Sequence, residues 1–383
     1  MRRETKLLHY GRPGTPGPAN PPIVKASTIL HDTLESYEDT LARRAKDETV
    51  LSYGRRGTTT AHALMDAITD LEGGDATWLF PTGVAALAAT LQAFLHKGDH
   101  LLLSETAFYA TEVVCEKFLV PNGVSVDRIP WDVTNLDEWL RPETRAVFVE
   151  SPGSDLMEVM DLPAICKSAH AHQAIVMADN TYGSGWLYRP LELGCDVSII
   201  AGTKYLGGHA DVMMGSASAR GQAADVLRDA VPALGQTLAP DEAYATLRGM
   251  RTLNLRLERH EENAAVVAAW LAQRDEVVRL FSPTLPDNPG QSTWQRDGEG
   301  GNGLLTVALR ADVDIARLLD ALELFAVGSS WGGFESLAKP VKNVAARSLA
   351  ANLGEVQLLR LHVGLEHADD LIADLEQVFD ALA

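Results

Sequence analysis

Cysteine, positive charge and long apolar runs are all scarce in this 383-residue chain. Its three cysteines, Cys115, Cys166 and Cys195, show no C-x-x-C spacing, so neither a disulfide framework nor a zinc ribbon is indicated and no metal site is expected. A reducing cytoplasm suits such a chain. Against 52 Asp and Glu stand only 33 Lys and Arg, a formal net charge of −19, and a field of that sign repels phosphate backbones and anionic lipid. No uninterrupted apolar run reaches spanning length, and the opening MRRETKLLHYGRPG carries basic residues without an apolar segment behind them. Nucleic-acid and membrane partners are therefore not expected, nor is export.

The length allows two or three domains with full cores. Residues 11–22, GRPGTPGPANPP, are too rich in Gly and Pro for helix or sheet and read as an extended arm able to wrap a neighbour. Helical patterns follow at TLESYEDTLARRAKD and from Ala61 to Leu71. Short apolar runs then alternate with helical ones: TWLF, HLLLS, RAVFVES, AIVMADN and DVSII are the strands, with PTGVAALAATLQAFL, ATEVVCEKFL and LPAICKSAHAH between them. That alternation predicts βαβ units and a largely parallel sheet buried on both faces. Beyond residue 240 the pattern predicts one long helix over 241–275, a Pro/Gly-rich loop, and a smaller α+β unit with strands GLLTVALR and QLLRLHVGLE and helices DIARLLDALELF and DDLIADLEQVFDAL. The expected organisation is an arm and subunit-contact segment (1–55), an α/β domain (56–240) and a C-terminal α+β domain (241–383).

Ligands in α/β sheets sit beyond the carboxyl ends of the strands. Three such ends carry notable residues. In FPTGVAAL, Gly83 and Val84 open a helix whose free N–H groups favour an anion, although small residues there also serve close packing. In VMADNTYGSG, Asp179 ends an apolar strand, where it could cap or turn the chain or pair with a cationic ligand nitrogen. In AGTKYLGG, Lys204 follows a buried run, where an unpaired ammonium is costly. Together they meet the needs of pyridoxal phosphate: an amine for a Schiff base, an acid to keep the pyridine nitrogen protonated, and a cradle for the phosphate.

The motifs YGRRGT (53–58), FPTG (80–83), ESPGS (150–154), ADNTYGSG (178–185), TKYLGGHAD (203–211), ATLRGMRTLNLRL (245–257), SSWGGFESL (329–337) and LRLHVGLE (359–366) span nearly the whole chain. In that order the sequence resembles the Cys/Met-metabolism family of pyridoxal-phosphate enzymes, most closely its bacterial cystathionine β-lyase branch. The resemblance implies a type I PLP-dependent transferase-like fold, with a mostly parallel sheet flanked by helices and a smaller C-terminal domain. It also implies that Lys204 forms the Schiff base, that Asp179 pairs with the pyridinium nitrogen, and that Gly83, Val84 and Thr203 contact the phosphate. Tyr53 and Arg55 would reach the cofactor of a neighbouring subunit in a homotetramer built as a dimer of dimers. Arg360 would clamp the substrate α-carboxylate, helped by Ser330 and Trp331. Its alternation with Leu359, Leu361 and Val363 sets it on the opposite face of its strand.

Three positions depart from the family pattern. The tyrosine usual over the cofactor ring aligns with Phe108, which stacks but cannot donate a proton, so either the adjacent Tyr109 turns inward or the hydroxyl is dispensable. Ala201 lacks a hydroxyl that many relatives offer the phosphate. Ser329 is smaller than the aromatic residue expected there, which predicts a wider distal pocket. Trp331 and ESPGS favour β-elimination of cystathionine or related S-substituted cysteines over γ-elimination or γ-replacement. Amino-acid racemisation and a weakly catalytic regulatory role are the remaining alternatives.

Overall fold

The computed structural model describes residues 1–14, 16–46, 48–342 and 344–382. Seven strands form the larger sheet: β1 (Ala76–Phe80), β2 (His100–Ser104), β3 (Ser125–Ile129), β4 (Thr144–Glu150), β5 (Ile175–Asp179), β6 (Val197–Ile200) and β7 (Gly215–Ala219), in the order β1-β7-β6-β5-β4-β2-β3. From β6 through β5, β4 and β2 to β3 every pairing is parallel, while β7 runs antiparallel to both β6 and β1.

Both faces of this sheet are covered, as its continuous apolar strands require. Along β4 and β5, Val147, Val149, Val176 and Ala178 pack into one core with the helices Thr59–Glu72, Leu162–Ala171 and Pro240–Met250. The alternate residues Ala146, Phe148 and Met177 pack into a second core with the helices Gly83–Phe94 and Gly221–Ala233. The two-residue period of a strand thus splits one apolar run between two cores.

The smaller sheet contains β8 (Val277–Phe281), β9 (Leu304–Arg310), β10 (Ala326–Val327), β11 (Leu337–Pro340) and β12 (Val356–His362), ordered β10-β11-β12-β9-β8. Leu359, Leu361 and Val363 face a third core shared with the helices Leu253–Leu271 and Ala368–Leu382. Burying two leucines there stabilises by roughly 3–6 kcal/mol, and a one-residue slip of β12 would forfeit it. That preference fixes Arg360 on the opposite face, toward the larger domain.

Two expectations are corrected. The segment expected as one long helix is two, Pro240–Met250 and Leu253–Leu271. At the break the backbone tightens to bonds from Arg251 N–H to Arg248 O and from Thr252 N–H to Gly249 O, and the Gly249 carbonyl also accepts a 2.8 Å bond from the buried Arg256 guanidinium. The helix expected over DIARLLDALELF stops at Ala321, because the Asp374 carboxylate takes the N–H groups of Glu323, Leu324 and Phe325 at 2.8–3.1 Å. Among the described residues no helix is long and apolar enough to cross a membrane.

Candidate active site

The carboxyl ends of β4, β5 and β6 bring the predicted residues together. Asp179 is the last residue of β5 and is buried, and one of its carboxylate oxygens accepts the Thr181 N–H at 2.9 Å. The Thr181 hydroxyl in turn accepts the Ala201 N–H at 2.9 Å, which ties the aspartate turn to the segment carrying Lys204. Burial raises the Asp179 carboxyl above its usual range, while the Thr181 bonds and Lys204 act in the opposite sense. Beside it in register, Glu150 is raised well above the usual range, first by burial and then by Asp179 itself. No cation lies within ion-pair distance of Asp179 among the described residues, so this end of the site favours a ligand that brings positive charge.

Lys204 lies in the turn after β6. Its Nζ donates to Ser330 Oγ at 2.9 Å and stands 5.6 Å from the centre of the Trp331 ring. Burial, followed by the nearby Arg360 guanidinium, lowers its amine from the ordinary value to about 8. The surrounding loop is held closely. Arg256 donates to the Tyr205 carbonyl at 2.8 Å, and a Cβ on Gly332 would come within 3.0 Å of the Lys204 Cα. Gly332, at φ 84°, accommodates that approach and gives its N–H to His362 Nε2 at 3.0 Å.

The helix Gly83–Phe94 begins at Thr82, whose hydroxyl accepts the Ala85 N–H at 3.0 Å while its carbonyl accepts that of Ala86. The N–H groups of Gly83 and Val84 have no intrahelical partner and are available to an anion. Gly83 is required by packing as well as by chemistry, since a Cβ there would lie 2.5 Å from the Ala201 methyl. Thr203 is less free than expected: its hydroxyl donates to the Met214 carbonyl at 3.1 Å and accepts the Met214 N–H at 3.0 Å.

On the other side of Lys204, the buried Arg360 donates to the carbonyls of Ser329 and Ser330 at 2.8 and 3.1 Å. Its second terminal nitrogen is 3.6 Å from Asp155, a residue at φ 64° that the motif reading did not single out. Burial lowers the Arg360 guanidinium, and Asp155 opposes that shift. Phe108 and Tyr109 are both exposed and line a cavity of about 450 Å³ with Ser329. The Phe108 N–H donates to Glu150, so its backbone is anchored beside Asp179. Tyr53 and Arg55 stand apart from this cluster. Tyr53 bridges to Thr28, and Arg55 donates to the Pro232 carbonyl at 2.9 Å.

A family model described as Cys/Met metabolism PLP-dependent enzyme matches residues 4–380. The chain belongs to that family. It is 41% identical to the cystathionine beta-lyase of Salmonella typhimurium over 98% of both chains, and 41% identical to the cystathionine beta-lyase MetC of Escherichia coli K12, also over 98% of both. Among solved structures, cystathionine gamma-lyase from Lactobacillus plantarum complexed with L-serine superposes with a TM-score of 0.90 at 29% identity, covering 100% of this chain and 99% of that one.

The residues present fit the cofactor of a Cys/Met-metabolism enzyme. A partly neutral, half-buried amine, a buried acid without a cationic partner among the described residues, and two helix-terminal N–H groups are the three complements that pyridoxal phosphate requires. Sequence motifs located all three. They did not reveal Glu150, Arg256, Asp155 or His362 as supports, because each acts through contacts made only in the folded chain.

Proposed function

We propose that the protein is a carbon–sulfur β-lyase that converts cystathionine or a related S-substituted L-cysteine to a thiol, pyruvate and ammonia. The observation that carries this reading is the sharing of one loop, 329–331, by two groups: Lys204 bonds the Ser330 side chain while Arg360 bonds the Ser329 and Ser330 carbonyls. A substrate held by its α-carboxylate on Arg360 would therefore present its Cα beside the Lys204 amine. The two cystathionine beta-lyases at 41% identity support cleavage at Cβ.

Lys204, Asp179, Gly83 and Val84 would hold pyridoxal phosphate, which when bound draws electron density away from the substrate Cα. Arg360 binds and orients the α-carboxylate through a two-pronged contact, and Ser330 and Trp331 complete that end. With its amine at about 8, Lys204 is substantially neutral near pH 8, and Nζ can take the Cα proton. Asp179 keeps a proton on the ring nitrogen. Breaking the Cβ–S bond releases a thiolate, which gains a proton, and the remaining three-carbon enamine takes up water to give pyruvate and ammonia. Phe108 supplies a stacking face, and Tyr109 stands at the rim as a proton donor to the leaving sulfur.

Tyr53 and Arg55 serve a neighbouring subunit's site in a homotetramer located in the cytoplasm. The helix Leu34–Arg44 buries none of its residues, and Leu30, Leu34 and Tyr37 are exposed, which supports an arm made to be covered by a second chain. The reaction is tested by product identification after incubation with β- and γ-thioether amino acids. Pyruvate with homocysteine from cystathionine is expected; 2-oxobutyrate as the main product would replace this reading with γ-elimination, and D-alanine from L-alanine with racemisation.

A further inference from the structure

The cavity beside Arg360 contains more charge than an α-carboxylate clamp needs. In the β11–β12 ladder Lys339 is directly opposite Arg360, so two cations share one face of the sheet, an arrangement that ordinarily destabilises a strand pair. Asp155 stands between them, with one carboxylate oxygen 3.7 Å from Lys339 Nζ and 3.6 Å from Arg360. That oxygen makes no hydrogen bond. Lys339 has no other carboxylate within ion-pair distance among the described residues, and its ammonium is depressed first by burial and then by Arg360, with Asp155 acting in the opposite sense.

Most other charges lining the cavity are already engaged. Glu105 accepts the Trp131 and Ser348 N–H groups at 3.1 and 2.9 Å. Glu112 pairs with Arg128 at 3.3 Å, and Arg347 with the buried Glu158 at 3.4 Å. Lys342 also lines the cavity and has no ion-pair partner among the described residues. The incompletely paired charges of the cavity are therefore two lysines on one short segment, 339–342, set against the single carboxylate of Asp155. A substrate α-carboxylate on Arg360 would satisfy that guanidinium in place of Asp155, and Asp155 alone would then face two lysines, one carboxylate short of pairing both.

Building on the lyase reading, we propose that Lys339, backed by Lys342, binds a carboxylate carried by the substrate's S-substituent, so that the enzyme selects thioethers with an acidic leaving group. Cystathionine meets this requirement, and so do S-carboxyalkyl cysteines. Ser329 leaves the cavity open for that group, which an aromatic side chain would fill.

The test compares S-(3-carboxypropyl)-L-cysteine with S-butyl-L-cysteine, which differ in replacing a terminal methyl by a carboxylate. For the holoenzyme kcat/KM for pyruvate release should favour the acid by about 10- to 100-fold, the range of a charge-assisted hydrogen bond. Lys339→Met should bring that ratio to within about threefold of unity, and Lys339→Arg should retain most of it. Calorimetry provides a readout independent of turnover: holoenzyme should bind glutarate about tenfold more tightly than valerate, and Lys339→Met should lose the difference. A wild-type ratio near unity, or a preference that survives in folded Lys339→Met, would overturn the subsite. If neither thioether yields pyruvate but the glutarate preference still depends on Lys339, the lyase reading fails and the subsite stands.

Discussion

Around Lys204 the site is built from short side chains and backbone groups that hold one another by hydrogen bonds and leave the Gly83 and Val84 N–H groups for an anion, whereas around Arg360 it is built from long charged side chains whose pairing is incomplete. Thr181 links Asp179 to Ala201, Thr82 caps its helix, and the Gly83 Cα faces the Ala201 methyl with no room for a Cβ. At the other end Asp155 is shared between Arg360 and Lys339 at distances beyond a good hydrogen bond. A cofactor that is always the same compound permits a finished, preorganised cradle. A substrate that arrives with its own charges is better met by groups that still lack partners.

This contrast can be broken most severely at the cofactor end. Lys204→Ala should lower pyruvate release by about 1,000-fold or more, because both the covalent attachment and the proton transfer at Cα are lost. Far-UV circular dichroism should remain native, since among the described residues the Lys204 side chain bonds only Ser330 and packs beside Trp331. Turnover within tenfold of the parent would remove Lys204 from the reaction. A smaller effect is expected from Gly83→Ala. Its new methyl must displace Ala201, an overpacking cost of about 1–3 kcal/mol, and equilibrium dialysis should show roughly tenfold weaker binding of pyridoxal phosphate. Unchanged affinity would mean that the Gly83–Ala201 contact yields freely and the cradle is less rigid than described.

The same contrast explains what could be read from sequence. The large sheet and its covering helices were legible because β4, β5 and β6 are continuous apolar runs, and Lys204, Asp179 and Gly83 were legible because each sits at the end of such a run or opens the helix after it. The strand β7, GSASA, was not, since it contains no β-branched or aromatic residue and is a strand only because β1 and β6 pair with its two edges. Nor was the break between the helices Pro240–Met250 and Leu253–Leu271, where helix-forming residues yield to the approach of the lysine loop; a Cβ on Gly249 would be 2.1 Å from the Gly207 carbonyl oxygen. Asp155 and Lys339 are far apart in the chain and carry no motif. They meet because β11 pairs with β12 and because the backbone after β4 turns through φ 64° at Asp155.

The central claim is that Lys204 is a partly neutral, nucleophilic amine, set there by burial and by Arg360. It is tested most directly by following the reloading of apo-protein with pyridoxal phosphate as a function of pH, from the rise of cofactor absorbance. The neutral amine is the reactive form, and a lowered pKa moves its appearance to lower pH. The rate should therefore increase with pH and reach half its maximum near pH 8. A half-maximum above pH 10, the behaviour of an ordinary solvated lysine, would contradict the account.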